Sequence, residues 1–330
     1  MKVPYIIGAD LSKKSIDFAA HQPGSHLKVS NDLQGFRELK KWLEKQCNDI
    51  QDIMIVMEHT GLYSYRLEQY LHQQQIRFSK VSGLAVKRSM GLVRGKTDKQ
   101  DAIRIARYGV EKMDQLVIAE PASKSLERLQ MLHSTRERLV RNRASLITAV
   151  KEIQQVCELK QSDIIVASQL KLIKGFDQQI AKLDNEIQTI VEAEENIKQN
   201  YMLLQSIKGV GKVLALAAII KTGNFTRFTN ARKFACHCGT APFENTSGTS
   251  IRGKTRVSHL ADKRMKTLLD LAAKSAIQYD KELREYYLKR TVDGKPKMST
   301  INVVRNKLLY RMFAVIKRQT PFTENYLQAA

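Results

Sequence analysis

The chain has 330 residues, 43% of them hydrophobic, which is enough to bury a sizeable core and favours two or three domains over one. Its 55 Lys and Arg against 33 Asp and Glu leave a formal net charge of +22, which calls for a polyanionic partner and by default nucleic acid. No membrane span, secretory leader or disulfide framework is expected: the longest apolar run is residues 213–220, Asp10, Lys13 and Lys14 break up the first residues, and Cys47, Cys157, Cys236 and Cys238 are too few and too scattered. The expected location is the cytoplasm, at the nucleoid.

Tyr5, Ile6, Ile7, Gly8 and Ala9 form a short apolar run that ends in Asp10, and residues 16–20 supply an antiparallel partner after the turn at Ser12, Lys13 and Lys14. This resembles the opening hairpin of an RNase H-like sheet. Phe36, Leu39 and Leu43, with Trp42, make a helical stripe; residues 53–57 then form a continuous apolar run typical of a buried parallel strand, with Glu58 directly at its end. Residues 62–73 predict a helix and residues 76–81 another strand. In open α/β sheets functional groups collect at the carboxyl ends of strands, which is where Asp10 and Glu58 fall.

Asp98 and Asp101 precede a helical segment, and a spacing of three puts both on one face of its first turn, with Thr97 as a natural N-cap. Alone, this pair reads as acids complementing a helix dipole. Together with Asp10 and Glu58 it reads as a four-carboxylate site, whose mutual repulsion calls for cations; two magnesium ions suit such oxygen donors better than zinc. His59, beside Glu58, is either a proton-transfer aid or a cap of the strand end.

No proline lies between Pro121 and Pro242, and Gly175 is the one glycine between Gly109 and Gly209, so a long helical region is expected. Leu139, Arg143, Leu146, Val150, Ile153 and Cys157 recur at steps of four and three, as do Phe176, Ile180, Leu183, Ile187, Ile190 and Ile197 with one position skipped. Two long helices follow, in an antiparallel hairpin or short coiled coil, with the break between Leu159 and Gly175; pattern alone divides evenly between a dimer surface and an intramolecular hairpin.

From about Tyr201 the chain is helical and basic. Lys208, Gly209, Gly211 and Lys212 have the look of a helix-hairpin-helix turn, with glycines freeing backbone N–H groups for a phosphate, and an ordinary glycine turn between core helices is the alternative. Residues 206–240 hold six basic side chains and no acidic one, which favours DNA backbone contact, and Arg252, Lys254 and Arg256 extend the basic surface. Ser247 and Gly248 lie in a loop between helical patterns, where Ser-Gly is ordinary turn chemistry and Thr246, Thr249 and Ser250 are rival hydroxyls. Cys236, His237 and Cys238 have no second ligand pair at useful spacing and read as helix packing.

In order and spacing, Gly8 to Asp10, Glu58 to Tyr63, Lys96 to Ala102, and Ser247-Gly248 followed by Arg256 to Leu260 resemble the IS110 family of insertion-sequence recombinases, which includes pilin-gene invertases. The resemblance covers nearly the whole chain. It implies an α/β plus all-α fold: a RuvC-like, RNase H-like catalytic domain (residues 1–120), a coiled-coil helical hairpin (residues 121–200), and a helical C-terminal transposase domain carrying the nucleophilic serine and the helix-hairpin-helix-like element (residues 201–330). It further implies that Asp10, Glu58, Asp98 and Asp101 bind magnesium and that Ser247 forms a transient phosphoserine link to DNA. Donor and target DNA would be chosen by a structured guide RNA, and the protein would work as a dimer of dimers, the serine of one subunit completing the acidic site of another. Two positions depart from the family: Thr240 and Ala241 precede Pro242, and Ala261 stands where a glycine is common. A metal-dependent junction nuclease without a covalent intermediate, and a non-catalytic nucleic-acid-binding protein, are the competing readings.

Overall fold

The apolar runs of the first 81 residues become a five-stranded mixed sheet: β1 (Tyr5–Leu11), β2 (Ser15–Ala20), β3 (His26–Ser30), β4 (Ile53–Glu58) and β5 (Arg77–Val81), in the order β3-β2-β1-β4-β5. The computed structural model describes residues 5–21, 25–59, 61–91, 95, 97–120, 123–247 and 251–323. Strands β1, β2 and β3 pair antiparallel, while β4 pairs parallel with β1 and with β5. The third strand goes beyond the sequence expectation, although His26, Leu27, Lys28 and Val29 alternate polar and apolar as a half-buried strand should.

Both faces of the sheet are covered, which is why β4 is apolar at every position up to Glu58. Ile7, Ala9, Ile55, Met57 and Phe78 face α1 (Leu33–Gln46) and α2 (Tyr65–Gln73). Ile6, Met54 and Val56 face the other way, toward α3 (Gly83–Ser89) and α4 (Asp98–Glu111). Alternation along β1 and β4 puts Asp10 and Glu58 on this second face. A turn of 3-10 helix at Gly61–Ser64 shortens the helix expected from residue 62, because the chain tightens before Tyr65.

Two compact units divide the chain, Met1–Pro121 and Ala122–Ala330. In the second, α5 (Lys124–Cys157) and α6 (Ile164–Ala193) are joined by the turn 158–163 and run antiparallel, with Arg136 paired to Asp184 and Arg143 to Asp177 along their length. The periodic stripe that continues to Ile197 is broken at Glu194, whose extended backbone starts α7 (Glu195–Gln205). The lower end of the pair enters a helical core, where Leu129, Leu132 and Val191 join Leu204, Ile219 and Phe234. That core is completed by α8 (Lys212–Thr222), α9 (Ala231–His237), α10 (Lys263–Tyr279), α11 (Lys281–Val292) and α12 (Lys297–Arg318).

Between α9 and α10 the structure corrects the expectation of a loop. The strands β6 (Pro242–Ser247) and β7 (Ile251–Val257) pair as an antiparallel hairpin, with a bulge between Phe243 and Asn245. Its strands are mostly polar in sequence, and none of their described side chains is buried, so no buried apolar face announces them.

Candidate functional site

Two glycines bring α4 down onto the sheet. A Cβ at Gly8 would lie 2.1 Å from the Ala102 carbonyl oxygen and 2.3 Å from the Ala106 nitrogen, and one at Gly109 would lie 2.8 Å from Ile6 and Val56 methyl carbons. With Ala102 and Ala106 over Gly8, and Gly109 over Ile6, α4 runs antiparallel to β1. Its first turn, with Asp98 and Asp101, therefore falls at the end of β1 where Asp10 sits. Thr97 caps that turn by accepting from the Gln100 N–H at 3.2 Å. Parallel pairing of Ala9 with Met57 sets Glu58 beside Asp10, and Gly83 leaves room for the Glu58 carboxylate, which a Cβ would meet at 2.5 Å.

Asp10 records the convergence electrostatically. Its carboxyl is pushed up from 3.8 to about 6, first by burial and then by the negative charges of Asp101, Asp98, Glu58 and Asp17. All four expected acids thus bear on one place. A fifth, Asp17, lies opposite Asp10 in the β1–β2 register and is almost fully buried. Sequence reasoning missed Asp17 and the cations around it. His26 contacts Asp17 at 2.8 Å; Lys28 reaches Asp17 at 3.3 Å and Asp98 at 3.6 Å; and Arg104 holds Asp101 at 2.7 Å while donating to the Gly95 carbonyl. The i, i+3 spacing of Asp101 and Arg104 was a readable signal, whereas Lys28 needed the third strand.

The donor set fits a hard divalent cation, since every candidate ligand is a carboxylate oxygen and burial and the neighbouring acids oppose ionisation of Asp10. Among the described residues no three His, Cys, Asp or Glu side chains stand close enough to hold one ion as arranged. Asp98 and Asp101 are engaged instead by Lys28 and Arg104, so loading would exchange these ion pairs for metal contacts. The His59 N–H donates to the Val81 carbonyl at 3.1 Å, tying down the end of β4.

In the second unit the glycine turn joins α7 to α8. Gly209 has φ +92°, and a Cβ there would meet the Ala272 carbonyl oxygen at 2.6 Å, so this glycine serves packing against α10. Gly211 is the N-cap of α8 with open space around its Cα and no side-chain cap, and Lys208 and Lys212 are exposed beside it. Ser247 closes β6 opposite Ile251, and Arg256 is exposed on β7. Gly248, Thr249, Ser250 and Lys96 lie outside the described residues, as do the side chains of Ser247, Arg252 and Lys254. Ala261 packs where a Cβ on Gly239 would come within 2.5 Å of its methyl, so the glycine before the hairpin accommodates that departure. Cys238 is fully buried, which pushes its thiol up to about 12, and the His237 ring stacks on Phe234.

Residues 7–156 match the DEDD transposase model of the IS110 group, and residues 201–288 match the model described as Transposase IS116/IS110/IS902 family. The chain is 27% identical over 322 residues to the pilin gene-inverting protein of Moraxella bovis, covering 96% of this chain and 97% of that protein. The counterpart from Moraxella lacunata gives the same identity and coverage. It is also 22% identical over 257 residues to the transposase for insertion sequence element IS1111A of Coxiella burnetii, covering 69% and 68%.

Proposed function

The chain belongs to the IS110 family of transposases, and from that premise we propose that it cuts and rejoins DNA through a serine-phosphodiester intermediate formed by Ser247, under the direction of a structured guide RNA. The observation that carries the catalytic reading is Asp10, held up to about 6 by burial and by three neighbouring acids from β4 and α4. Asp10, Glu58, Asp98 and Asp101 would hold two magnesium ions, which when bound neutralise charge developing on the phosphate oxygens. Lys28 and Arg104 keep Asp98 and Asp101 ordered at the mouth of the site.

In the covalent step the Ser247 oxygen forms a bond to the scissile phosphorus and the bond from phosphorus to a deoxyribose oxygen breaks. The serine gives up its proton and the released sugar hydroxyl gains one. The new ester conserves the phosphodiester, so attack by another strand's hydroxyl rejoins DNA and restores the serine without an energy source. Water in place of the serine would give a hydrolytic nuclease, which loses that bond.

Three modules divide this work: residues 1–120 as the carboxylate domain, 121–200 as an oligomerising hairpin, and 201–330 as the serine-bearing domain. Exposed Val156, Ile164 and Leu172 on the α5–α6 pair support association of subunits into dimers and tetramers on DNA, as a coiled coil. Lys208, Gly211 and Lys212 at the start of α8, with Arg252, Lys254 and Arg256 of the hairpin, supply backbone contacts. The net charge of +22 accommodates both donor and target DNA and an RNA whose base pairing makes the sequence choice. Names of the relatives include both an inverting protein and a transposase.

The test is a denaturant-resistant protein–DNA adduct, formed from purified protein with its co-bound nucleic acid, magnesium and cognate DNA ends. Wild type is expected to give it, Ser247→Ala to lose it, and Asp98→Asn to slow it strongly. Cleavage with no adduct in wild type would replace this reading with the hydrolytic nuclease.

A further inference from the structure

We propose that the recess at the base of the β6–β7 hairpin is a stacking subsite for one unpaired nucleobase of the DNA strand, with Phe243 as its platform. The inference rests on the reading of the hairpin as the serine-bearing element. Phe243 is 45% exposed, an uncommon position for a phenylalanine on a polar strand. It lines a recess of about 460 Å³ together with Cys236, Arg256, Val257, Ser258 and Leu260. That volume lies in the roughly 300–1,000 Å³ range of small-ligand sites.

The chemistry of the rim selects the occupant. The Arg232 guanidinium lies over the Phe243 ring, 5.7 Å from its centroid, and is fixed by donating to the Pro242 carbonyl at 3.0 Å. Arg256 is the cross-strand partner of Phe243. An apolar ring with one guanidinium over it and a second arginine opposite it in the hairpin offers its remaining π face to a base and positive charge to its phosphate, the combination used to hold single strands. An apolar peptide would leave both cations uncompensated. Glu244 does not line the recess, and Asp262, beyond Leu260, is paired to Lys221 at 2.7 Å. Neither acid is part of the recess wall.

Position gives the subsite its use. Ser247 is four residues further along β6, roughly 13 Å at strand spacing. A base pinned on Phe243 therefore lies a short way along the strand from the phosphate presented to the serine. Drawing it out of the helix would fix the register and polarity of the strand before attack.

Full-length protein is titrated with single-stranded DNA spanning the cleavage position, with RNA of the same sequence, and with a duplex flank. Phe243→Ala is expected to weaken single-stranded DNA binding by about 5- to 150-fold, the effect of losing one stacked base, with duplex affinity little changed. Phe243→Trp should retain or tighten it. An unchanged affinity in Phe243→Ala overturns the proposal, and so does a loss confined to RNA. Equal losses on single strand and duplex, or failure of Phe243→Trp to restore binding, would show a hairpin defect and overturn it as well. The adduct assay reports the serine reading separately: Phe243-dependent binding without an adduct keeps the subsite and removes the nucleophile.

Discussion

Replacing Gly8 with alanine would set a Cβ 2.1 Å from the Ala102 carbonyl oxygen and 2.3 Å from the Ala106 nitrogen. Both are backbone atoms, so no rotamer relieves the overlap and α4 must lift from β1. Overpacking of a core costs about 1–3 kcal/mol, and a backbone clash belongs at the top of that range. Trp42, the only tryptophan, lies on α1 and packs against the core on the other face of the same sheet, so its fluorescence follows this unit. In urea, Gly8→Ala is expected to lower the unfolding free energy read at Trp42 by about 3 kcal/mol. Lifting α4 also carries Asp98 and Asp101 away from Asp10, and a displacement of about 1 Å can cost 100-fold in rate. Strand cleavage should therefore fall by about two orders of magnitude even where the variant is fully folded. Gly175→Ala is the contrast: an added Cβ there meets nothing within 4 Å on α6, so it should stabilise the second unit by about 0.5–1 kcal/mol and leave the Trp42 transition in place. A Trp42 transition for Gly8→Ala within about 0.5 kcal/mol of wild type would refute the close-approach argument.

The Asp10 carboxyl is raised from 3.8 to about 6 in the folded unit, so folding favours its protonated form: that contribution is complete below about 3.8 and is lost as pH rises through about 6. Trp42-monitored stability should show this loss, and Asp10→Asn should abolish it while stabilising the unit at neutral pH; a parallel pH profile in the variant would remove Asp10 as the cause. Magnesium at about a hundred times its dissociation constant should add roughly 2.7 kcal/mol at neutral pH, reversed by chelation and absent in Asp10→Asn, as read by the same fluorescence. Lys208→Gln and Lys212→Gln should each reduce the slope of log affinity against log salt by about 0.9 if each meets a DNA phosphate, whereas unchanged slopes would place DNA elsewhere. Gly209→Ala, strained at φ +92° and clashing with the Ala272 carbonyl, should instead lower the thermal stability of the second unit and leave the salt slope of the folded fraction alone.

What could be read from the residues depended on how locally each feature is encoded. Asp10 and Glu58 were legible because an apolar run that ends in an acid marks both the strand and its functional end, and Asp98 with Asp101 because a capped helix fixes their common face. That all four acids share one place follows from Gly8 and Gly109, whose role appears only when the helix lies on the strand. Lys28 was invisible for the same reason: five residues of β3 carry it next to Asp17 and Asp98, a contact that no spacing within one element encodes. The β6–β7 hairpin escaped because both strands are mostly polar and none of their described side chains is buried, so the burial that normally writes period-2 alternation is missing among the described residues. Solvent-exposed strands of this kind are held by their ladder and not by a core, and a nucleic acid laid on them would provide the missing burial. Phe243 is the one large apolar side chain of β6, and Arg232 and Arg256 beside it suit the negative charge of the proposed strand. The least legible stretch of the chain is thus the one on which the proposed single strand would lie.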